Sequence, residues 1–118
     1  MSGSAGDDTG LLRDAAAAGS RAPSIHNTQP WHWVVHPHQL ELSADRSRQL
    51  TATDPDGRSL MLSCGAALYQ ARLAIAAAGR RPEVTEMPDP AQPDLLAVLR
   101  AGVETPISPT MLNAKSRA

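Results

Sequence analysis

The residues best placed for chemistry fall in one short stretch, Ala22 to Trp31, which reads Ala-Pro-Ser-Ile-His-Asn-Thr-Gln-Pro-Trp. Ser24, Asn27 and Thr28 carry short polar side chains that bond nearby backbone amides and shape turns and helix starts. Pro23 and Pro30 each fix a backbone angle and push the preceding residue toward extended geometry. The result is a rigid, amide-rich corner, and such corners can turn backbone N–H groups toward a ligand. A corner that only satisfies itself while joining a helix to a strand is the plainer reading, and spacing alone favours it.

Other reactive side chains carry less. His32, His36 and His38 cluster near one hairpin, yet His32 and His36 lie about 13 Å apart on an extended strand at ~3.3 Å per residue, too far to share a metal. There is no paired-cysteine motif and no His-Glu-x-x-His spacing, so no metal ligands are assigned. Cys64 sits in an apolar run, where a thiol is ordinarily inert packing. Ser24 and His26 are neighbours in sequence, but no acidic partner and no Gly-x-Ser-x-Gly elbow accompany them. Asp54 and Asp56 read as a helix cap and a turn rather than as an acid–base pair. Phosphate-loop and dinucleotide glycine patterns are absent, and no catalytic side chain is assigned.

The corner sequence, with its preceding Arg21, resembles the Ala-Pro-Ser-x-x-Asn-x-Gln-Pro-Trp signature of the flavin-dependent nitroreductase family. The likeness continues in Thr53-Asp-Pro-Asp-Gly-Arg58 and Ser63-Cys-Gly-Ala-Ala-Leu68. Together these segments are similar to the Acg-type nitroreductases, in which one chain carries two nitroreductase-like halves and a single FMN site. The resemblance covers roughly residues 10 to 103, the first half. It implies an α+β fold, a nitroreductase-like half-domain with two main helices packed on a small antiparallel sheet. It implies FMN as cofactor, with NAD(P)H as donor and a small aromatic acceptor of nitro or quinone type. By position it assigns Pro23, Ser24 and Ile25 to the side of the flavin ring. Asn27 and Gln29 match the family's polar positions, to contact the cofactor or to brace the corner, and His26 falls at a variable one. The family's basic Arg-Arg-Ser-x-Arg segment, which grips the FMN phosphate, has no counterpart before residue 22. One wall of a flavin pocket is therefore expected, completed by a homodimer or a partner half-domain. The alternative is a non-catalytic flavin-binding or dimerisation module, or a degenerate fragment of a longer nitroreductase.

Composition sets the bounds. A chain of 118 residues makes one domain, not two. Phe is absent and aromatic residues are 3%, so the core must rest on Leu, Ala, Val and Ile. Ala brings elements close but buries little, since each buried CH₂ is worth only about 0.8 kcal/mol. A net charge of −1 gives no electrostatic reason to bind nucleic acid or an anionic membrane. One cysteine excludes an internal disulfide and suits a reducing cytoplasm. The most apolar stretch, Leu60 to Ala78, contains Gln70 and Arg72, which argue for a buried helix and against a membrane span.

The elements that must position the corner follow from the pattern. Residues 1–6 read as a disordered start, 7–103 as the partial domain and 104–118 as a flexible tail that departs from the family, as in a truncated chain. Asp7, Asp8 and Thr9 offer caps to a first helix, with Gly19 as its stop. Trp31 to His36 and Gln39 to Ser43 read as a hairpin, with Trp31, Trp33 and Val35 on one face. The stretch Asp54-Pro-Asp-Gly57 caps a second helix over Arg58 to Ala78, with Gly79 beyond it. Its residues are apolar nearly all round, which predicts enclosure, with Leu60, Cys64, Leu68, Arg72 and Ile75 along one side. Arg80 and Arg81 suit the end of that helix. Pro82 to Met87 and Leu95 to Ala101 read as two further strands.

Overall fold

The computed structural model of the chain describes residues 7–50 and 52–104. The order of elements is α1 (Thr9–Ser20), a 3-10 turn (Ile25–Asn27), β1 (Trp31–Val35), β2 (Leu40–Ala44), a second 3-10 turn (Arg46–Arg48), α2 (Arg58–Ala77), β3 (Arg80–Glu86) and β4 (Leu95–Glu104). The four strands form one antiparallel sheet in the order β1-β2-β4-β3. The fold is therefore α+β, two helices on a small antiparallel sheet. Two expectations, for residues 1–6 and for the tail, lie outside the described residues. Glu104, taken as the first tail residue, instead closes β4.

The core forms where the two helices meet the sheet. Leu12, Ala15, Leu40, Ala71, Ile75, Ala97 and Leu99 are fully buried there. The strands alternate as a half-covered sheet requires: β2 buries Leu40, Leu42 and Ala44 and leaves Glu41 and Ser43 partly exposed. Helix α2 buries the line Leu60, Cys64, Ala67, Ala71 and Ile75. That line differs from the expected one, because Leu68 is only half-buried and Arg72 is exposed. The small alanines lie nearest the sheet and α1, where close approach selects them.

Enclosure of α2 is only half realised. Met61, Leu62 and Tyr69 are exposed, with Leu62 63% accessible. By length and composition alone α2 is apolar enough to cross a membrane; here it is the central helix, with seven residues buried.

Three ends close differently from the sequence expectation. Gly19 is not a helix stop but a buried residue within α1. A Cβ there would overlap the Trp33 indole and come within 2.9 Å of the Ala67 carbonyl oxygen. The glycine is thus selected by three elements packing at one point. At the start of α1, Asp7 Oδ1 accepts from the Thr9 N–H at 2.9 Å. The Asp8 carboxylate makes no cap bond and pairs with Arg80 instead, Nη1 to Oδ1 3.0 Å. Arg80 belongs to β3 rather than to the end of α2, and it also donates to the Gly102 and Ala101 carbonyls. One guanidinium thereby fastens the beginning of α1 to the far end of the sheet.

The start of α2 is as expected. Asp54 is buried, and its two carboxylate oxygens accept from the Ser59 and Leu60 N–H groups at 2.9 and 3.0 Å. Gly57 takes the left-handed φ of 73° that the turn needs, and Gly79 closes the other end at φ 85°.

Gly19→Ala should destabilise the protein by about 1–3 kcal/mol through overpacking, although alanine is the better helix former by ~1 kcal/mol. Urea unfolding measures the difference; a gain in stability would contradict the close approach of α1, β1 and α2.

Candidate functional site

The corner between α1 and β1 is held by two serine hydroxyls. Ser24, extended at φ −129° and ψ 151°, caps the 3-10 turn Ile25–Asn27. Its Oγ accepts the Gln29 N–H at 2.9 Å, closing the corner across five residues. Ser63, buried on α2, accepts the Ile25 N–H through its Oγ at 3.0 Å. Within the turn, the Asn27 N–H donates to the Ser24 carbonyl and the Thr28 hydroxyl donates to the Ile25 carbonyl. On the far side, the Pro30 carbonyl accepts from Asp45 N–H at 2.8 Å and from the Cys64 thiol at 3.4 Å. The corner is thus tied to α2 at two points and to the chain after β2 at a third.

Two residues in this stretch adopt left-handed backbone without being glycine: Asn27 at φ 54° and Gln29 at φ 48°. Such a conformation costs about 1–2 kcal/mol for an ordinary residue, less for asparagine, and persists only where the surroundings impose it. Here the Ser24 hydroxyl imposes it on Gln29.

Of the five residues that the sequence pointed to, all lie on this one corner. Pro23, Ile25, Asn27 and Gln29 are exposed and Ser24 is half-buried. The Asn27 and Gln29 side-chain amides have no hydrogen-bond partner among the described residues, so bracing is done by Ser24 and Ser63 and not by them. The Ser24 N–H likewise has no acceptor among the described residues. The expectation for the His26 side chain lies outside what the structure describes. Sequence reasoning included Ser63 only as the first residue of a resemblance segment and gave it no part in the corner; the bond to Ile25 left no local mark in the sequence.

The donor set suits a flavin in kind. Pro23 and Ile25 are exposed apolar residues, and the same turn carries two side-chain amides and an N–H with no partner among the described residues. The only cleft that includes Ile25 among the described pockets, shared with Thr28, Gln49 and Leu60, has a volume of about 10 Å³, the scale of one water. The corner is therefore an open wall.

The remaining candidates are placed apart. His32 is exposed, and His36 Nε2 stands 3.4 Å from Glu41 Oε2. No group of three or more His, Cys, Asp or Glu side chains is arranged to hold a metal ion among the described residues. Asp54 is occupied as a cap. Cys64 is 1% exposed, and burial pushes its thiol up to about 11.

Comparison with known proteins defines the class. The fold matches a crystal structure of a "putative NADH dehydrogenase/NAD(P)H nitroreductase" from Parabacteroides distasonis with a TM-score of 0.62 at 18% identity, covering 85% of this chain and 79% of that one. It matches a "putative NADH oxidase" from Clostridium acetobutylicum at 0.63 and 14%, covering 84% and 78%. The architecture is that of the nitroreductase fold. In sequence, the chain is 49% identical over 83 residues to a "putative NAD(P)H nitroreductase" of Mycobacterium tuberculosis, 70% of this chain and 24% of that protein. It is 44% identical over 89 residues to the Acg protein of the same organism, named likewise, with 75% and 27% covered. No family model matches. The chain belongs to the nitroreductase family, among the Acg-type proteins, and spans about a quarter of the length of these curated relatives.

A third relative, an uncharacterised protein of Mycobacterium tuberculosis, is 38% identical over 112 residues, 92% of this chain and 32% of its own length. That share exceeds what residues 1–104 can supply. The match therefore takes in some of the stretch after Glu104.

Two measurements check this geometry. Ser63→Ala should cost about 1–3 kcal/mol, because it leaves the Ile25 N–H without its partner, whereas Ser59→Ala, whose hydroxyl has no partner among the described residues, should be near neutral. Equal losses in chemical denaturation would contradict the Ser63 tie. Native Cys64 should resist iodoacetamide at pH 8 and react once unfolded. Because its folded pKa lies above the unfolded value, its contribution to stability is complete below pH ~8.5 and is lost as pH rises toward 11. Rapid native alkylation would place the thiol outside the core.

Proposed function

We propose that the chain forms one side of an FMN site and that the assembled protein passes electrons from NAD(P)H to a nitro- or quinone-like aromatic acceptor. The observation that carries this reading is the corner itself: an exposed, strained, serine-braced turn whose Asn27 and Gln29 side-chain amides have no partner among the described residues. Pro23 and Ile25 would lie beside the ring, and Ser24, Asn27 and Gln29 would meet its polar edge. When bound, the flavin supplies hydride acceptance and onward electron transfer. The chain's own part is to place the ring, exclude water from one face and offer N–H and amide groups to its heteroatoms. No side chain here is required as an acid or base.

The one-walled shape also supports assembly. The exposed Leu62 and Tyr69 on α2, together with the open corner, suit a second copy or a partner half-domain as the opposite wall. A single thiol and a net charge of −1 fit a cytoplasmic protein with no nucleic-acid or membrane partner. The partial domain is read as residues 7–103, with Glu104 added because it ends β4. The open wall equally suits the second reading, a module that holds flavin or dimerises without turnover.

Flavin fluorescence and NAD(P)H consumption, followed on the purified chain with added FMN, separate these. Binding with turnover supports the enzyme, and binding without turnover supports the module. Asn27→Gly keeps the left-handed backbone and removes one amide, so it should weaken FMN affinity by roughly tenfold, the scale of one hydrogen bond to a bound ligand. Ser24→Trp should abolish binding by filling the wall while far-UV circular dichroism stays native. Unchanged affinity in both variants would exclude the corner.

A further inference from the structure

A pocket of about 200 Å³ lies between the first half of α2 and the adjoining ends of β3 and β4, and none of the five corner residues lines it. It is lined by Met61, Cys64, Met87, Glu86, Leu42 and Leu68, among others. Every sulfur-bearing side chain among the described residues reaches this one pocket. Met61 and Cys64 stand three apart on α2, which sets their Cβ atoms about 5–6 Å from each other on neighbouring parts of one face. Met87 arrives from a different element. It follows β3 with a left-handed φ of 48°, and its N–H is pinned to the Leu96 carbonyl at 2.8 Å. Cys64 forms the buried side, while Met61 and Met87 are 40% and 52% exposed at the mouth.

We propose that Met61, Cys64 and Met87 form a binding site for one soft monovalent cation, Cu(I). One thiol and two thioethers are a soft donor set, with no imidazole and only the Glu86 carboxylate nearby. Such a set selects Cu(I) over zinc, magnesium or calcium, which favour imidazole or oxygen. Methionine suits the remaining task, since its unbranched, polarisable chain can swing from the pocket mouth onto a cation. Binding forms a copper–sulfur bond to Cys64 and breaks its S–H bond, releasing the proton to solvent. The thioether sulfurs of Met61 and Met87 donate lone pairs, and no electron is transferred. The thiol at the same time gives up its contact with the Pro30 carbonyl. The resulting thiolate–Cu(I) pair is neutral, which suits an apolar pocket.

The test is anaerobic titration of the full chain with Cu(I) held by a chromophoric chelator, alongside single variants. One Cu(I) per chain should move to the protein, with a sulfur-to-copper absorption in the ultraviolet. Cys64→Ser should abolish both signals. Met61→Leu and Met87→Leu conserve volume and keep the fold, and each should weaken binding by at least about tenfold, the scale seen even for supporting partners of metal ligands. Failure of the wild-type chain to compete with the chelator would overturn the proposal. Wild-type affinity in both methionine variants would do so too, leaving the sulfurs as ordinary apolar packing.

Discussion

The structure depends on one tie, the bond from the Ile25 N–H to the Ser63 hydroxyl. It joins a surface turn to the buried face of α2 near that helix's N-terminal end. Without it, the three residues of the 3-10 turn would lose their direct bond to α2 and be held only by their own weak bonds and by ties at the flanking Ser24, Thr28 and Pro30. With it, Ser24 is fixed closely enough for its hydroxyl to capture the Gln29 N–H and hold two left-handed residues in place. A hydrogen bond of this kind contributes only about 0.5–1.5 kcal/mol net, and leaving its partly buried partner unmet adds to the loss. Its importance lies in where it acts, at the junction between core and candidate site.

The core serves the same end. Gly19, Ala67 and Trp33 meet at one point, so α1 and α2 can approach the sheet closely enough to bring Ser63 beneath the corner. Arg80 then secures the opposite end of α1 through Asp8. Small residues make this possible, and they limit the apolar area that each contact buries. The exposed apolar side of α2 follows from the same economy of size: the buried side is filled by alanines, and the large residues Leu62 and Tyr69 point outward.

Much of this was legible in the sequence. The hairpin, the aspartate cap at Asp54 and the glycine after α2 each rest on local chemistry, and each forms where that chemistry puts it. The five corner residues were identified by type and by resemblance, and they occupy one exposed turn. What was not legible depends on tertiary neighbours. Gly19 reads as a helix stop because a close packing partner leaves no local mark. Asp8 reads as a cap because nothing near it in sequence announces Arg80. Ser63 looked like an unremarkable helix serine, and Asn27 and Gln29 could not be sorted from braces until Ser24 and Ser63 were seen to do the bracing. Which side of α2 is buried was obscured because both sides are apolar.

The most direct test of the central claim is to follow the backbone amides of the isotopically labelled chain by NMR as FMN is added. The account predicts that the largest shifts fall on Ser24, Ile25, Asn27 and Gln29, with Ser63 and its neighbours moving through the shared bond. Shifts confined to the opening between α1 and α2 that Leu11, Ala18 and Leu73 line, or spread evenly with none at the corner, would contradict it.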